Sequence, residues 1–524
     1  MKGTELHQLV RSLDKAERDR VLQNARRADK DGEQFYVALY RDLLNTNTYH
    51  SDAAFLSTHP KAPYAKSFGK MRDYLEDAIL DALRSHRRRG GGEKAPESRI
   101  RELIEESQIL RSKQLYEGSY ERLTEAKQLA TNHQYQELLL EILKLERTYL
   151  SELGEQRVLE QLMSVVEEIR TLGQHIHAAC TTMAVRERLF HGIRFQSMDD
   201  ENAKVFLAQM ESELDAVKEA ITGSMEAQTN YHLARSLISL QREQYLDAWE
   251  HQHAAFLLWK SHPEFASVRR TQHLKLLSNF LTLSIRVGQV EDFIDAIETL
   301  ERYPGNTPDE QAESKQNSTY IRLQYFLSRA EWEDALEIER AFNRKPNWAT
   351  IKSRKPRLVA FHICFARLHF VLGKMQLAES ALKRFDSERN GKGHEELLVE
   401  AEVMRLLMAL DGYRGGPKRN VAEDHDTRNR VRSIKRILQK LKRPPSYLAP
   451  MLNGILRIDR LPLAQQATGW PKLWTQVSKT VQNLEFDNAG QMFLAWLQAR
   501  AEEQAVNDIL ERNFPRFSAQ LPEG

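Results

Sequence analysis

The densest group of charged side chains lies in residues 428–443. Eight of these sixteen residues are basic and none is acidic. The basic residues are Arg428, Arg430, Arg432, Lys435, Arg436, Lys440, Lys442 and Arg443. Val431, Ile434, Leu438 and Leu441 recur between them at helical spacing, so the stretch predicts a basic amphipathic helix.

A helix of this kind can bind nucleic-acid phosphates, an anionic membrane surface or an acidic partner. The membrane is the weakest of the three, because no aromatic insertion or lipidation signal accompanies the segment. The structural alternative is an outer helix whose apolar stripe is packed and whose basic face is only solvated. The sequence favours that alternative and leaves the eight residues as candidate anion- or partner-binding residues.

Histidines occur in groups that suggest metal ligation at first sight. The pairs His175–His177 and His251–His253 are two residues apart, a step that turns about 200° on a helix. The members of each pair therefore point to opposite sides and cannot hold one metal ion. His362, Cys364 and His369 share one predicted helix, but Cys364 lies off the face of the two histidines. We predict packing and surface histidines and no metal site.

The residue patterns of common enzyme classes are absent from the sequence. There is no P-loop, Gly-x-Ser-x-Gly, His-Glu-x-x-His or dinucleotide fingerprint. The stretch Gly415–Lys418 lacks the first glycine and the Ser/Thr of a P-loop. Carboxylate pairs such as Glu167–Glu168 lie on predicted solvated helices, where they do not form an acid–base pair. We expect no enzymatic activity and no cofactor.

The composition indicates a long all-α protein. Glycine and proline, 23 and 16 residues, make up about 7% of the chain against about 12% in average proteins. A chain of 524 residues is too long for one compact core, unless it grows as a repeat array. The net charge of +2 excludes bulk polyanion binding, so a nucleic-acid role would need a local patch.

The compartment follows from the cysteines and from hydropathy. Two cysteines, Cys180 and Cys364, lie far apart within apolar runs, which excludes a disulfide framework. No secretory signal and no stretch of about 20 apolar residues is found. We expect a soluble, cytoplasmic protein with no membrane partner.

Helical hairpins are the elements that position these side chains, and the clearest covers Thr271–Gly305. Its first helix carries an apolar stripe. The stripe residues are Leu274, Leu277, Leu281 and Ile285. Gly288 stands where a helix end needs a positive φ, and Val290–Leu300 continues as a second amphipathic helix. Pro304 ends that helix.

The same turn recurs along the chain. Its occurrences are Tyr120–Leu123, Tyr245–Ala248, Val290–Phe293, Trp332–Ala335 and Lys374–Leu377. The fourth residues of the last four are 45, 42 and 42 residues apart, and Leu123 precedes Ala248 by 125 residues, close to three such periods. A two-helix repeat with a period of about 42 predicts an α-solenoid.

Two stretches resemble a known family. Gly288–Ala296 and Trp332–Leu336 resemble the start of the second helix in tetratricopeptide-type repeats. The resemblance covers roughly residues 98–412 and implies a solenoid fold, although family repeats have about 34 residues and these are longer. It assigns the family's peptide-clamp function to no particular residue. The layout, with Ser12–Glu17 ahead of the repeats, is similar to bacterial helical-repeat proteins.

The predicted organisation has four parts. Residues 1–86 form a small helical module, 87–97 a Gly/Arg linker, 98–412 the repeats and 413–524 a C-terminal helical capping region. Residues 1–86 either cap the solenoid or form a DNA-binding helix-turn-helix, and their mixed charges favour the cap.

We expect a non-enzymatic scaffold or regulator that presents its solenoid surface to a protein or peptide. A subset of the aromatic residues in the repeats would line that surface. These are Trp249, Trp259, Tyr320, Tyr325, Trp332 and Phe361. The alternative is a nucleic-acid-associated regulator that uses residues 428–443.

Overall fold

The computed structural model of the chain describes most of its residues. They are 3–13, 15–28, 35–88, 96–153, 158–195, 200–289, 291–303, 308–344, 355–389, 395–412, 424–441, 445–461, 463–479 and 488–513. These residues form 25 α-helices and two short 3₁₀ segments and contain no β-strand. The all-α prediction is confirmed.

The chain divides into two compact units, Met1–Leu172 and Gly173–Gly524. The helices of the first unit are α1 (Gly3–Ser12), α2 (Lys15–Ala28), α3 (Phe35–Asn45), α4 (Asp52–Thr58), α5 (Phe68–Arg88), α6 (Pro96–Ser112), α7 (Tyr116–Asn132) and α8 (Gln136–Leu153). A 3₁₀ segment, Ala65–Ser67, precedes α5. Helix α9 (Val158–Phe195) begins in the first unit and ends in the second.

The second unit continues from α9 to the last helix. Its helices are α10 (Asp200–Ala216), α11 (Met225–Gln241), α12 (Tyr245–Lys260), α13 (Pro263–Val268), α14 (Arg270–Val287), α15 (Phe293–Glu301), α16 (Pro308–Ser328), α17 (Trp332–Asn343), α18 (Lys355–Val371), α19 (Met375–Glu388), α20 (Glu395–Leu410), α21 (Asp424–Leu438), α22 (Leu448–Asp459), α23 (Leu463–Ser478), α24 (Asn488–Glu502) and α25 (Val506–Asn513). A 3₁₀ segment, Ala220–Gly223, precedes α11.

Two separate clusters of apolar side chains hold the first unit together. One lies among α1 to α5, and Leu39, Leu75 and Ile79 are fully buried in it. The other lies among α6, α7 and α8. Most of the predicted linker, residues 89–95, lies outside the described residues, and the four-part division of the chain stays a prediction.

In the part of the chain that the structure describes, seven turns between consecutive helices share one backbone geometry. Each has a residue with φ between 56° and 70°, the left-handed region. These residues are Gln114, Gln134, Glu243, Gly288, Ala330, Gly373 and Glu503. In every case the next N–H donates to the carbonyl five residues earlier, at 2.8 to 3.0 Å, as Gln289 does to Ser284. This is the Schellman end of a helix, which satisfies carbonyls that would otherwise lack a donor.

Four of the seven turns are separated by similar intervals. Glu243, Gly288, Ala330 and Gly373 are 45, 42 and 43 residues apart. Gly288 takes φ +70°, so the positive φ predicted there is confirmed. Five of the seven left-handed residues are not glycine, although this conformation costs roughly 1–2 kcal/mol for a residue with a Cβ.

Small side chains set how closely the hairpin helices approach. Ser119, Ala248 and Ala378 each follow a left-handed residue by five positions and are buried. Each is also twelve positions after another buried small residue, namely Ser107, Ser236 or Ala366. The Ser236 hydroxyl donates to the Ala248 carbonyl at 3.0 Å. The three hairpins concerned, α6–α7, α11–α12 and α18–α19, are the most closely packed in the described chain.

The structure corrects two of the predicted turns. Tyr120–Leu123 lies inside α7, because the left-handed residue before this helix is Gln114. In the turn predicted at Lys374–Leu377 the fourth residue is half exposed, and the next residue, Ala378, is the buried one. At Glu503 the same kind of turn, which the sequence did not predict, separates α24 from α25.

Two helices continue through residues that often end a helix. Helix α9 runs through Gly173 to Phe195, because one glycine alone does not break it and no proline follows before Phe195. Pro471 lies inside α23.

Helix contacts in the second unit follow a regular order. Helix α14 contacts α15 and α16, α16 contacts α17 and α18, and α18 contacts α19 and α20. The C-terminal helix α24 packs on α16 and α18, and the Trp496 Nε1–H donates to Asp411 at 2.9 Å. Among the described residues, no helix is long and apolar enough to cross a membrane. The cytoplasmic location stays a prediction.

A matched pair of substitutions tests the shared turn. We expect Ala330→Gly to raise the free energy of unfolding by about 0.5–1 kcal/mol, because glycine adopts φ +58° without strain. Gly373→Ala should lower it by about 1 kcal/mol. A Cβ at Gly373 meets no atom within 4 Å, so that loss would come from backbone strain alone.

Urea unfolding followed by tryptophan fluorescence measures both effects. All seven tryptophans lie between Trp249 and Trp496, so the signal reports on the second unit only. Equal midpoints for Gly373→Ala and the unsubstituted chain would contradict the assigned role of the turn.

Candidate functional site

A groove of about 910 Å³ lies in the second unit. Its wall is formed mainly by α11 and α14, the first helices of successive hairpins, with contributions from the C-terminal half of α9, from α12, α13 and α16, and from Arg367 of α18. The lining combines apolar side chains, such as Phe190 and Leu237, with amides, hydroxyls and cations. Met183 and Phe190 expose 42% and 46% of their surface, as expected of ligand-facing apolar residues.

Helix α14 has two faces, and one of them lines the groove. The apolar stripe predicted from the sequence is buried, and Leu277 and Leu281 are fully inaccessible. The other face carries polar residues three or four positions apart. They are Gln272, Lys275, Asn279, Thr282 and Arg286, and all five line the groove. Burial of the stripe contributes about 1.5–3 kcal/mol to the stability of the fold per leucine and fixes the helix on that side. The polar row lies on the other side.

One end of the groove lies at the C-terminus of α12. The Trp259 Nε1–H donates to the Thr229 hydroxyl at 2.9 Å, which joins α12 to α11. Trp259 packs edge-on against Phe265 at 4.9 Å and stacks with His273 at 5.4 Å. These contacts hold the aromatic wall in one orientation.

The other end of the groove lies at the N-terminus of α12. There the Arg286 guanidinium lies 3.9 Å from the centre of the Tyr245 ring, within cation–π range. The Arg286 Nε atom is buried and has no acceptor among the described residues. The guanidinium is therefore held in place by stacking and not by a carboxylate.

Two walls of the groove are held by polar contacts. On α9, Arg186 donates to Asn230 and to Glu187, both at 2.5 Å. On α18, Arg367 makes a two-pronged ion pair with Glu400, and both residues are buried. Burial lowers the pKa of Arg367, but the pairing with Glu400 outweighs burial and leaves the pKa raised. Separating the buried pair of Arg367 and Glu400 is costly, so this pair holds the α18 wall firmly.

A buried amide in the groove wall has unused hydrogen-bonding capacity. Gln252 on α12 donates from Nε2 to the Ser236 hydroxyl at 3.2 Å. Its Oε1 is buried and accepts from no described residue. A buried acceptor without a donor costs about 1–3 kcal/mol, and a ligand N–H would relieve that cost.

The basic segment forms α21 and the turn after it. Val431, Ile434 and Leu438 are buried, which confirms these three residues of the predicted apolar stripe, whereas Leu441 is half-buried and lies after the end of α21. Arg428, Arg432, Arg436 and Lys440 are exposed, whereas Arg430 and Lys435 are half-buried. The Lys435 ammonium donates to Asn453 at 2.6 Å. Lys442 and Arg443 lie outside the described residues.

The exposed cations of this segment repeat every four positions. Arg428, Arg432 and Arg436 thus follow one side of α21, opposite the buried stripe. Within the described part of the chain, none of these three arginines forms an ion pair, and acidic helices do not cover them. Whether these residues bind anions stays a prediction.

The predicted histidine pairs find separate surroundings. His251 faces His232 with 3.2 Å between their Nδ1 atoms, whereas His253 contacts Asp292 at 2.8 Å. His175 packs over Gly223, where a Cβ would overlap its ring, and His177 is exposed. The prediction that paired histidines point apart is confirmed for both pairs.

The third predicted group is also dispersed. His362 lies 3.2 Å from Glu388, and His369 lies 2.9 Å from Glu339. Cys364 accepts from the Gln324 amide at 3.2 Å, and its burial raises the pKa of the thiol to about 11.

One cluster of metal-ligand types forms between α12 and the two residues just before α15. Among the described residues, His253, Glu291 and Asp292 place one potential ligand atom each within 4.8 Å of one another. The Lys260 ammonium lies 2.9 Å from Asp292 and repels a cation. The sequence did not suggest this trio, because about 40 residues separate His253 from the two carboxylates.

With this geometry established, the chain can be compared with known proteins. No family model, no curated protein and no solved structure matches it.

The groove contains some residues that were candidates from the sequence and others that were not. Trp259 and Tyr320 belong to the aromatic set and line it, whereas Trp249, Tyr325 and Phe361 are core residues. The polar row of α14 was missed, although its spacing of three and four residues was visible opposite the leucine stripe.

Histidines beside the groove predict how stability depends on pH. Burial lowers the pKa of His232 to about 4, and the nearby His251 contributes to the shift. Burial also lowers the pKa of His273 to about 4. The unfolded chain binds protons at these residues near pH 6.5, whereas the folded chain does not until about pH 4. Above about pH 6.5 these histidines are therefore neutral in both states and cost no stability. As the pH falls below that value, the free energy of unfolding decreases.

We expect the urea concentration at the unfolding midpoint of the second unit to decrease when the pH is lowered from 7 to 5. The loss should be on the order of 1–2 kcal/mol for each histidine. His273→Phe, which keeps a flat ring against Trp259, should reduce the pH dependence. A pH dependence that His273→Phe leaves unchanged would be inconsistent with this assignment.

Proposed function

We propose that the chain is a non-enzymatic binding protein whose groove holds a peptide segment of a partner protein. The observation that carries the proposal is the polar row of α14, from Gln272 to Arg286, in a groove whose other walls supply apolar side chains. Peptides need both kinds of contact, because each residue carries a backbone donor and acceptor as well as a side chain.

Amide side chains suit a peptide backbone, because each both donates and accepts hydrogen bonds. Five line the groove. They are Asn230, Gln252, Gln272, Asn279 and Gln324. Asn279 is exposed near the middle of α14 and makes no hydrogen bond to another described residue, so it is available to a ligand. Apolar side chains of the peptide would bind against Met183 and Phe190, which expose 42% and 46% of their surface, and against Leu237.

The proposal includes a tetratricopeptide-like solenoid with helical caps at both ends. It is supported by left-handed turns 42 to 45 residues apart and by the contact order α14–α16–α18. In a solenoid the first helices of successive hairpins share one surface, and these are the main helices lining the groove. The proposal includes no catalytic step.

A peptide-display selection tests this function. Random dodecapeptides are selected on the full chain, and enriched peptides are synthesised with a fluorophore and titrated by fluorescence anisotropy. Asn279→Trp places an indole in the middle of the groove from an exposed helix position, so the fold should tolerate it. We expect Asn279→Trp to weaken binding by about ten-fold or more, equivalent to at least about 1.4 kcal/mol.

Gln376→Trp is the matched control, since Gln376 is exposed on α19 and outside the groove. It should bind as the unsubstituted chain does. A selection that enriches no peptide, or peptides that bind Asn279→Trp and Gln376→Trp equally, would remove the basis for the proposal.

The exposed arginine row of α21 supports a second candidate function, binding to nucleic-acid phosphates. Arg428, Arg432 and Arg436 lie on one side of the helix and have no ion-pair partner among the described residues. A row of cations on one helix side can follow a phosphate backbone and would bind it in a salt-dependent way.

A gel-shift salt series tests this second function with duplex DNA and single-stranded RNA probes. Arg432→Glu/Arg436→Glu should abolish binding at low salt if the row contacts phosphates. Lys383→Glu, at an exposed position of α19, controls for reversal of an exposed cation outside the row. Absence of binding at low salt, or binding that the double substitution leaves intact, would rule the function out.

A further inference from the structure

The charges of the groove are unevenly distributed. Helix α14 contains no acidic residue from Arg270 to Val287, and its groove face carries Lys275 and Arg286. Neither cation forms an ion pair with a described residue. This face therefore presents positive charge that the described part of the protein does not neutralise.

Arg286 is the better ordered of the two cations. Its guanidinium lies against the Tyr245 ring at 3.9 Å, which restricts the side chain before any ligand binds. A guanidinium donates two parallel hydrogen bonds to a carboxylate, and an ordered one loses less entropy in doing so. Lys275 is exposed and has no such support.

The carboxylates that line the groove lie away from Arg286. Glu187 is bound by Arg186 at 2.5 Å. Glu226 is in the first turn of α11, close to Thr229, which accepts from Trp259. Helix α12 separates Trp259 from Tyr245 by fourteen positions, or about 21 Å. The Arg286 end thus carries a cation and apolar neighbours such as Leu240 and Leu283, and none of the described lining residues at this end is a carboxylate.

We infer that the groove selects peptides with a carboxylate next to apolar residues, and that Arg286 binds this carboxylate. The inference rests on the proposed peptide-binding function and adds the chemical class of the ligand. The row from Gln272 to Arg286 is also about 21 Å long, enough for roughly six residues of extended peptide. The groove offers an anionic side chain its strongest contact at one end of that length.

The test uses the peptides selected on the full chain and their analogues. One analogue replaces the acidic residue by its amide, Asp by Asn or Glu by Gln, and another replaces it by Lys. Each is titrated by fluorescence anisotropy against the unsubstituted chain, Arg286→Gln, Arg286→Glu and the control Lys383→Glu. Urea unfolding followed by tryptophan fluorescence shows whether each variant is folded. If Arg286→Glu is not folded, the comparison is made with Arg286→Gln alone.

We expect an acidic residue at one position of the selected peptides. Its amide analogue should bind the unsubstituted chain about ten-fold or more weakly, and Arg286→Gln should lose the preference for the acid. Arg286→Glu should bind the Lys analogue better than the acidic peptide. Lys383→Glu should behave as the unsubstituted chain, because its charge lies outside the groove.

Two results overturn the inference and are distinguishable. Selected peptides that bind through the groove but lack a common acid, or that Arg286→Gln binds unchanged, refute the carboxylate contact and leave the peptide function standing. A selection that enriches no peptide dependent on the groove refutes the function itself and the inference with it.

Discussion

At seven places in the described chain a helix ends at a residue in the left-handed conformation. The next N–H then donates to the carbonyl five residues earlier. This turn reverses the chain while satisfying carbonyls at the helix end. It also fixes the register of the hairpin, because the fifth residue after it is buried against the preceding helix in hairpins such as the one containing Ala248. Where small residues occupy both helices at that point, the pair packs most closely. The order in which the helices of the second unit pack follows from the repetition of this turn and its hairpin.

Helix α14 connects the turn to the proposed function. Its leucine stripe and the left-handed Gly288 fix its position, so that Gln272, Asn279 and Arg286 can remain unpaired or singly supported on its other side. Polar groups that contribute little to stability are a usual feature of binding surfaces, because their hydrogen bonds and charges remain available to a ligand. In the groove wall, Arg186 joins α9 to α11 and Arg367 joins α18 to α20 without a ligand. Stability and proposed binding thus come from opposite faces of one helix.

The sequence was sufficient for the helical class, for Gly288 and for the buried stripes of α14 and α21, because periodicity and a glycine at a helix end have local causes. It was insufficient for most of the turns, because Gln114, Gln134, Glu243, Ala330 and Glu503 adopt a left-handed conformation that their residue types do not signal. The groove could not be predicted, because it requires the relative positions of α9, α11, α14, α16 and α18. Individual residues such as Trp259 were candidates, but their sorting into core and groove depends on packing between distant helices.

Photo-crosslinking from inside the groove tests the central claim most directly. A benzophenone amino acid is placed at Asn279, or at Gln376 as control, in the full chain, and a selected peptide is added before irradiation. The account predicts a covalent peptide adduct at position 279, lost on competition with unlabelled peptide, and none at position 376. Equal adducts at both positions, or an adduct at 376 alone, would contradict a ligand bound along the polar face of α14.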